Sequence, residues 1–458
     1  MNKLAKYIKI LKSKSEFSAF YEASQSMLQA SKMAEILYED ETVIYNTSSV
    51  VVGPILSAYV FWILKLSIKK GISDLYFLAR DGEILKEIAE AFISKYKLPI
   101  KSHYLYVSRY SLRKALFCVN EKENIEVLCR NSIHVTPKII MSRTGLLSTI
   151  QEEVLLDIGY TTPKLQNTEL THEGLKKISD QLSSSKKFVE AMRELSKHES
   201  YKIFKYFCQE GITTDANIAL IDSGWTGSMQ RSIRQILEYH HVNKKIEGFY
   251  FGISNPTKRE DGVYNSFYFS EKDISKYIRF NNNLFECWCM AEHGMTTGYT
   301  FDSAGAIFPI LKDNPIHWYT AFQQKCIKQY AEELLNNKLQ FFLLSEEKMV
   351  QLVKPLIENF MLNPSCEEAK VYGKISFCDD SSESYITNLA ANLSRRDLFG
   401  NLTLIKILNK VFPLVKKPFK ESGWKEGTIA LLAPIPRILM KIDCNFSYII
   451  KILMKAWL

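Results

Sequence analysis

Short apolar runs that end in a polar turn, each followed by a stretch of helical spacing, are the feature that most constrains how this chain can fold. They occupy residues 74–79, 103–107 and 217–222, and residues 246–253 form a further one. A short apolar run bounded by a turn is typical of a strand buried on both faces of a parallel sheet. Strands that alternate with helices predict an α/β fold with a doubly wound parallel sheet.

The spacing of apolar residues also divides the chain into regions. We predict a helical lead-in over 1–45 and an α/β core over 46–270, which carries a large helical insertion over about 112–210. A second subdomain follows over 271–375, and the polar run 378–384 is the best candidate for a linker. The region that ends the chain, 385–458, is expected to be mostly helical and amphipathic.

Composition favours a soluble protein in a reducing compartment. Nine cysteines, an odd number, are scattered among apolar neighbours, which predicts buried thiols rather than a disulfide framework. The N-terminus lacks the apolar run of a signal peptide. The most apolar stretch, Val50 to Leu64, contains Gly53 and Pro54 and falls short of the ~20 apolar residues of a membrane span. We therefore expect a buried helix there and a cytoplasmic location.

Positive charge is concentrated near the end of the sequence. Residues 401–458 hold ten lysines and arginines against three acidic residues, and the remainder is nearly neutral, which argues against a nucleic-acid surface. Apolar positions alternate with these lysines. Two interpretations stay open: peripheral attachment to an anionic inner-membrane surface with Trp424 and Trp457 as anchors, or packed helices with solvated lysines.

Polar residues follow three of the predicted strands. They are Arg80-Asp81-Gly82, Ser108-Arg109 and the loop Asp222 to Ser228. In open parallel sheets, ligands bind beyond the carboxyl ends of the strands. If the three strands are neighbours, these loops meet in one crevice.

The loop from Asp222 to Ser228 has the chemistry of a phosphate site. Gly224 and Gly227 allow tight turns, and Thr226 and Ser228 add hydroxyl donors. A helix begins after it, and a helix N-terminus favours a phosphate through its N–H groups and dipole. Asp222 can accept hydrogen bonds from a sugar or hold Mg²⁺. The alternative is a tight turn in which Asp222 and Ser228 only cap the helix.

The earlier loops supply cations and a carboxylate. The Arg80 guanidinium can bind a phosphate through two hydrogen bonds, Asp81 can hold a metal ion beside it, and Arg109 adds a second positive charge. The alternative for Arg80 and Asp81 is a surface turn containing an ion pair.

An apolar strand that ends in an acid and a Thr-Gly-Ser loop, with an earlier Gly-containing loop, resembles the phosphoribosyltransferase fold. The resemblance implies that Thr226, Gly227 and Ser228 hold the ribose 5-phosphate, while the earlier loop holds pyrophosphate and Mg²⁺. Two positions depart from the family pattern. Ile221 stands where the first of two acids is usual, and Met229 stands where a threonine is usual.

A closer resemblance is to polysaccharide-locus proteins that carry the motifs found here at 77–82, 106–109, 222–228 and 286–294. Many are labelled haloacid-dehalogenase-like hydrolases, and some look like glycosyltransferases. It implies transfer of ribofuranosyl 5-phosphate from phosphoribosyl pyrophosphate to an undecaprenyl-linked glycan of O-antigen or capsule, with Mg²⁺ and a separate phosphatase for the 5-phosphate. The implied catalytic residues are Asp81, Asp222 and Glu286; the acceptor-side residues are Glu286 and His293; the metal ligands are Asp81 and Asp222; and the donor-binding residues are Arg80, Gly82, Ser108, Arg109, Ser223, Gly224, Trp225, Thr226, Gly227 and Ser228.

Two other functions are weighed against this one. A dehalogenase-like hydrolase needs a nucleophilic Asp two residues before Asp81, and that position is Ala79. A non-catalytic partner in polysaccharide assembly is the second alternative. A zinc site at Cys287, Cys289 and His293 is disfavoured because the spacing is poor and a fourth ligand is missing.

Overall fold

The computed structural model describes residues 2–33, 38–132, 134–254, 262–313, 318–337, 344–377, 387–411 and 419–457. One sheet of five parallel strands forms its centre, in the order β2-β1-β3-β4-β5. The strands are β1 (Asp74–Leu78), β2 (Lys101–Leu105), β3 (Ile218–Trp225), β4 (Glu247–Ile253) and β5 (Val263–Phe269). The predicted α/β class with a parallel sheet is confirmed.

The N-terminal helices cover one face of the sheet. They are α1 (Lys3–Leu11), α2 (Ser18–Met33), α3 (Glu39–Thr47), α4 (Gly53–Lys70) and α5 (Gly82–Tyr96). A helical stretch from Glu39 to Lys70 is long and apolar enough to cross a membrane, yet 83% of its most apolar window is buried inside the protein. Every residue from Gly53 to Leu64 is buried, so the predicted buried helix is confirmed.

Helices of the insertion cover the other face. They are α6 (Arg109–Leu116), α7 (Glu121–Leu128), α8 (Pro137–Ser142), α9 (Ser148–Asp157), α10 (Pro163–Gln166), α11 (His172–Ser184) and α12 (Lys186–Gln209), followed after β3 by α13 (Ser228–Tyr239). Apolar residues of α6, α12 and α13 pack on the sheet, whereas α7 to α11 share a separate apolar core with part of α12. Helices on both faces make the sheet doubly wound, as predicted, and α6 to α12 occupy the stretch between β2 and β3 where the insertion was expected.

The remaining elements follow β5. They are α14 (Ile274–Arg279), α15 (Asn282–Trp288), the antiparallel pair β6 (Thr296–Phe301) and β7 (Ile307–Leu311), α16 (Trp318–Asn336), α17 (Glu346–Ile357), α18 (Cys366–Gly373), the short pair β8 (Ser376–Phe377) and β9 (Thr387–Asn388), α19 (Arg395–Gly400), α20 (Thr403–Val411), α21 (Lys425–Ala430) and α22 (Pro434–Trp457). Residues of α16 and α17 join the core built by α2 and α4. The linker candidate 378–384 lies outside the described residues.

The expectation that Trp424 anchors the protein to a membrane is wrong. Its side chain is fully buried, and its indole N–H donates to the carbonyl oxygen of Met361 at 2.8 Å. The ring stacks on Phe360 with centroids 5.9 Å apart. Burial of a large ring with its polar atom satisfied is the usual packing of a core tryptophan. The side chain of the other expected anchor, Trp457, lies outside the described residues.

The strand order fixes where a ligand can enter. From β1 the chain moves to β2 on one side, and after the insertion it returns to β3 on the other side of β1. The order therefore reverses between β1 and β3. In doubly wound sheets the crevice beyond the carboxyl ends of the strands at such a reversal is the usual ligand site.

Candidate active site at the reversal of strand order

A cavity of about 200 Å³ lies at this reversal. Residues from all three polar loops line it together, with Glu286 from α15: they are Arg80, Asp81, Ser108, Arg109, Asp222, Ser223, Gly224, Trp225, Thr226, Ser228 and Glu286. Gly82 is the first residue of α5, and Gly227 immediately precedes the first residue of α13. The structure thus brings together residues that are up to about 200 positions apart in the sequence.

The loop after β3 is shaped by its glycines. The strand continues to Trp225, three residues beyond the predicted end at 222. Gly224 has φ +129°, and a Cβ there would lie 2.1 Å from the carbonyl oxygen of Gly252. Gly227, with φ +65°, stands immediately before α13. Only glycine suits a position that combines positive φ with so close a backbone neighbour.

The start of α13 is open to a ligand. Among the described residues no side chain caps this N-terminus, so the alternative in which Asp222 and Ser228 serve as caps is wrong. Thr226 and Ser228 are exposed at the cavity. An uncapped helix N-terminus presents unsatisfied N–H groups and the positive end of the helix dipole, which together suit an anion.

Asp222 is a half-buried carboxyl that lines the cavity. Burial raises its pKa to about 7, and the nearby Glu286 carboxylate acts in the same direction. The positive charge of Arg109 and hydrogen bonds from the N–H groups of Ser223 and Gly224 oppose the rise without cancelling it. A carboxyl in this state gains from a proton or from an added cation.

Asp81 is in a similar environment. Burial raises its pKa, Glu286 and Asp222 raise it further, and the charge of Arg80 opposes the rise. The Ser223 hydroxyl donates a hydrogen bond to Asp81, which links the first and third loops directly. Acids with strongly shifted pKa values in a cleft mark candidate functional sites.

Glu286 is held in place by the third loop. The indole N–H of Trp225 donates to its Oε1 at 2.9 Å. The Trp225 ring stacks against Phe269 with centroids 6.2 Å apart, and it also contacts Phe280 and Phe285. Trp225 was predicted to bind donor phosphate, but its N–H is used to orient Glu286, so its side chain acts as a positioning residue.

Ser108 likewise has a structural use for its hydroxyl. The hydroxyl donates to the carbonyl oxygen of Thr296 at 2.6 Å and accepts from the N–H of Ser111 at 2.9 Å, which caps α6. This cap places Arg109 in the first turn of α6 beside Asp222. Arg109 lines the cavity and is the cation that the second loop offers there.

His293 is set back from the cavity and does not line it. Its Nδ1 donates to the carbonyl oxygen of Gly294 at 2.8 Å, and its Nε2 is 2.6 Å from the Tyr104 hydroxyl, which also reaches the Arg80 carbonyl oxygen at 3.4 Å. In neutral His293 the Nε2 atom accepts from Tyr104. Tyr104 thus links His293 to the first loop, and the His293 Nε2 atom also lies 3.9 Å from Oε1 of Glu83 in the first turn of α5.

The two cysteines before His293 are buried, and burial raises the pKa of both thiols. Raised pKa values favour the neutral thiol, whereas a zinc ligand is a thiolate. Among the described residues no group of three or more His, Cys, Asp or Glu side chains is arranged to hold a metal ion.

Two residues of the site were missed at the sequence level. Tyr59 on α4 donates its hydroxyl to the carbonyl oxygens of Asp222 and Phe249, each at 2.9 Å, and so ties the ends of β3 and β4 together. Thr296 lines the cavity, and its buried hydroxyl has no hydrogen-bond partner within the described part of the chain. No local pattern marks either residue, because each reaches the site through tertiary packing alone.

A second cavity, of about 360 Å³, adjoins the first. The two share Arg109, Thr226, Ser228 and Met229 as lining residues. Further guanidinium groups line the second cavity, including Arg231, which forms an ion pair with Glu123 at 2.6 Å. Its other arginines are Arg113, Arg130 and Arg143. Five arginines and one glutamate give this extension a positive character that suits a phosphorylated ligand.

No family model matches this sequence. No curated protein is significantly similar to it.

Proposed function

We propose that this protein is a glycosyltransferase that moves ribofuranosyl 5-phosphate from phosphoribosyl pyrophosphate to a lipid-linked glycan of a surface polysaccharide. The proposal includes a phosphoribosyltransferase-like use of the parallel sheet, with the donor bound beyond its carboxyl edge. The observation that carries it is the convergence of Arg80, Arg109 and the open N-terminus of α13 on one cavity that also contains three carboxyl groups.

The proposed donor contacts follow from the charges of the loops. The 5-phosphate binds at Thr226, Gly227 and Ser228, where hydroxyls and helix N–H groups are available. The pyrophosphate binds between Arg80 and Arg109, because fixed guanidinium groups suit phosphate oxygens. Asp222 lines the same cavity, and we assign the ribose hydroxyls to it.

Mg²⁺ fits the half-buried carboxyls of Asp81 and Asp222, whose pKa values are raised mainly by desolvation and further by the neighbouring Glu286 carboxylate. Magnesium is usually bound by one or two carboxylates, with phosphate and water oxygens completing its coordination, so a cage of three protein ligands is not required. When bound, the ion neutralises charge on the leaving pyrophosphate.

The proposed reaction forms a bond between an acceptor hydroxyl oxygen and C1 of the ribose. The bond from C1 to the pyrophosphate oxygen breaks, and the pyrophosphate leaves with its electron pair. Arg80 and Arg109 stabilise that developing charge. The hydroxyl proton passes to a carboxylate; Glu286, oriented by Trp225, is our first candidate and Asp81 the second.

The acceptor is proposed to approach from the side of α15, which carries Glu286. His293 does not line the cavity, so a direct acceptor contact by His293 is not part of the proposal. The product retains the 5-phosphate, and a separate phosphatase is therefore required to remove it.

The test is incubation of the full-length protein with phosphoribosyl pyrophosphate, Mg²⁺ and a panel of synthetic glycan acceptors. We expect pyrophosphate release that depends on the acceptor, and a mass gain of one ribosyl phosphate on the acceptor. Donor binding is measured separately by calorimetry for the wild type, Arg80→Ala and the control Arg395→Ala, which changes an exposed arginine far from the cavity in sequence. Absence of donor binding by the wild type would contradict the proposal.

The same preparation separates the alternatives. A sugar-phosphate hydrolase would release inorganic phosphate from a substrate panel without an acceptor, and Asp81→Asn would abolish that release. A non-catalytic assembly partner would support polysaccharide production in cells even as Arg80→Ala or Asp222→Ala. For either alternative, Asp180→Asn on exposed α11 serves as the matched charge control.

A further inference from the structure

The C-terminal helices α20 and α22 expose an unusual amount of apolar surface. Eleven large apolar side chains on these two helices are each 42% exposed or more: Leu404, Ile407, Leu408, Ile435, Ile438, Leu439, Ile442, Phe446, Ile449, Leu453 and Met454. Scattered single apolar residues are normal on a surface, but a contiguous apolar patch marks an interaction site. We call these eleven residues the outer face.

Eight of the eleven outer-face residues lie on one side of α22. With about 100° of rotation per residue, these eight fall within an arc of about 160°. Met440, Cys444 and Tyr448 fall about 120° to 160° from the centre of that arc. Met440 and Cys444 are buried, and Cys444 and Tyr448 contact the buried Glu426 of α21. The helix is therefore held to the protein by one side and presents the other.

All three acidic residues of this region are engaged with protein groups. Glu421 pairs with Lys406 at 2.6 Å. Asp443 pairs with Lys425 at 3.4 Å and accepts from the N–H of Thr403 at 2.9 Å. Glu426, the third, is buried under α22. On the helical wheel Asp443 falls inside the apolar arc of α22, near one edge, and its carboxylate is engaged there by Lys425 and Thr403.

The basic side chains of α22 lie on the side that also packs on the protein, about 140° to 180° from the centre of the apolar arc. Arg437, Lys441 and Lys451 are exposed there, and Lys455 lies over the Tyr277 ring with its Nζ 4.1 Å from the centroid. A helix with a broad apolar side, lysines and arginines on the opposite side and a single acid, Asp443, that is already paired suits the interface of an anionic bilayer.

We propose that α20 and α22 form a docking surface for an anionic lipid bilayer, with both helices lying in the plane of the interface. The breadth of the apolar arc argues for lipid over a second helix, because a coiled-coil seam uses only the narrow stripe of a and d positions. The apolar residues of α20 widen the surface further. This inference does not depend on the proposed transferase activity.

The test uses the full-length protein and vesicles of phosphatidylcholine alone or mixed with phosphatidylglycerol. We expect the protein to sediment with the anionic vesicles and to bind neutral vesicles about tenfold more weakly. Raised salt should reduce the binding to anionic vesicles, because charges at the surface are screened. A wild-type protein that stays in the supernatant with anionic vesicles would overturn the proposal.

The decisive variant is Leu439→Glu, Ile442→Glu and Ile449→Glu combined, which places three carboxylates on the outer face. Its matched control is Leu147→Glu, Leu156→Glu and Leu165→Glu, three equally exposed apolar residues of the insertion. We expect the first variant to lose vesicle binding at least tenfold and the control to bind as the wild type does.

Two further measurements keep the result interpretable. Serine at the same three outer-face positions removes the apolar groups without adding charge, and we expect it to weaken vesicle binding. This variant provides the test if the glutamate variant does not fold. Light scattering of the wild type without vesicles tests for a second copy as the occupant. A dimer that dissociates in the glutamate variant, with vesicle binding unchanged, would overturn the bilayer assignment.

Discussion

The carboxyl edge of the sheet and the C-terminal helices depart from ordinary protein surfaces in opposite ways. At the sheet edge, carboxyl groups are half-buried and desolvated, which raises the pKa values of Asp81 and Asp222. On α20 and α22, apolar side chains such as Ile435, 74% exposed, face outward. Buried polar groups and exposed apolar patches are the informative exceptions in a folded protein. The contrast teaches that one region is arranged for a small charged ligand and the other for a broad apolar one.

The largest effect is expected when a cation is removed from the carboxyl edge of the sheet. In Arg80→Ala we expect transferase activity to fall about 100- to 1,000-fold, because a positioned charge on the leaving group is lost. Acceptor-dependent pyrophosphate release measures it, with Arg395→Ala as the control. If Arg80→Ala retains full activity, the cavity is not the donor site.

The shape of the third loop gives the next largest effect. Gly224→Ala should lower the free energy of unfolding by about 3 kcal/mol, because a Cβ would collide with the Gly252 carbonyl oxygen at positive φ. The control is Gly305→Ala, also at positive φ but with no atom within 4 Å of a Cβ, and about 1 kcal/mol is expected. Urea unfolding followed by circular dichroism measures both. Equal losses would show that the backbone contact at Gly224 is unimportant.

The half-buried acids should give the protein a characteristic pH dependence. The Asp222 pKa is about 7 in the folded protein against an ordinary 3.8, so the folded state keeps its proton more tightly than the unfolded chain. The stability from this group is complete below about pH 4 and is lost as the pH rises through about 7. Asp222→Asn should therefore lose less thermal stability than the wild type between pH 5 and pH 8, by several degrees in Tm. Parallel pH curves of Tm would argue against the raised pKa.

The smallest effect is expected on the outer face. Ile442→Glu should change the free energy of unfolding by about 0.5 kcal/mol or less, because the side chain is already 62% exposed. Met440→Glu, on the opposite side of α22 and 6% exposed, should destabilise by about 2 kcal/mol or more because it buries a charge. Thermal unfolding of both variants checks which side of α22 faces the protein.

Local sequence patterns predicted the elements that depend on local order. The apolar run 74–79 became β1, and the helix expected over Met229 to Tyr239 begins one residue earlier at Ser228. Parallel strands ending in polar loops also predicted which loops share a cavity. Those predictions were correct because the burial of a strand and the conformation of a turn depend mainly on residues that are neighbours in the sequence.

Tertiary packing decided the features that sequence reasoning missed. Tryptophan is common at membrane interfaces, yet the Trp424 side chain is buried in the core, where it stacks on Phe360. The expected ligand contacts of Ser108 and Trp225 are taken by protein partners, and Tyr59 reaches the site from a helix with no motif. Hydrogen-bond partners from distant segments cannot be read from spacing along the chain.

Aromatic contacts connect the two contrasted regions through a short rigid path. Trp225 at the cavity stacks on Phe269, whose ring is 5.9 Å from that of Tyr277, and Lys455 of α22 lies over Tyr277. A bilayer bound to α22 would consequently lie at a set height from the cavity. If both proposals hold, only glycans whose reactive sugar stands at that height above their lipid carrier would reach the cavity, so the spacing would select acceptors by length.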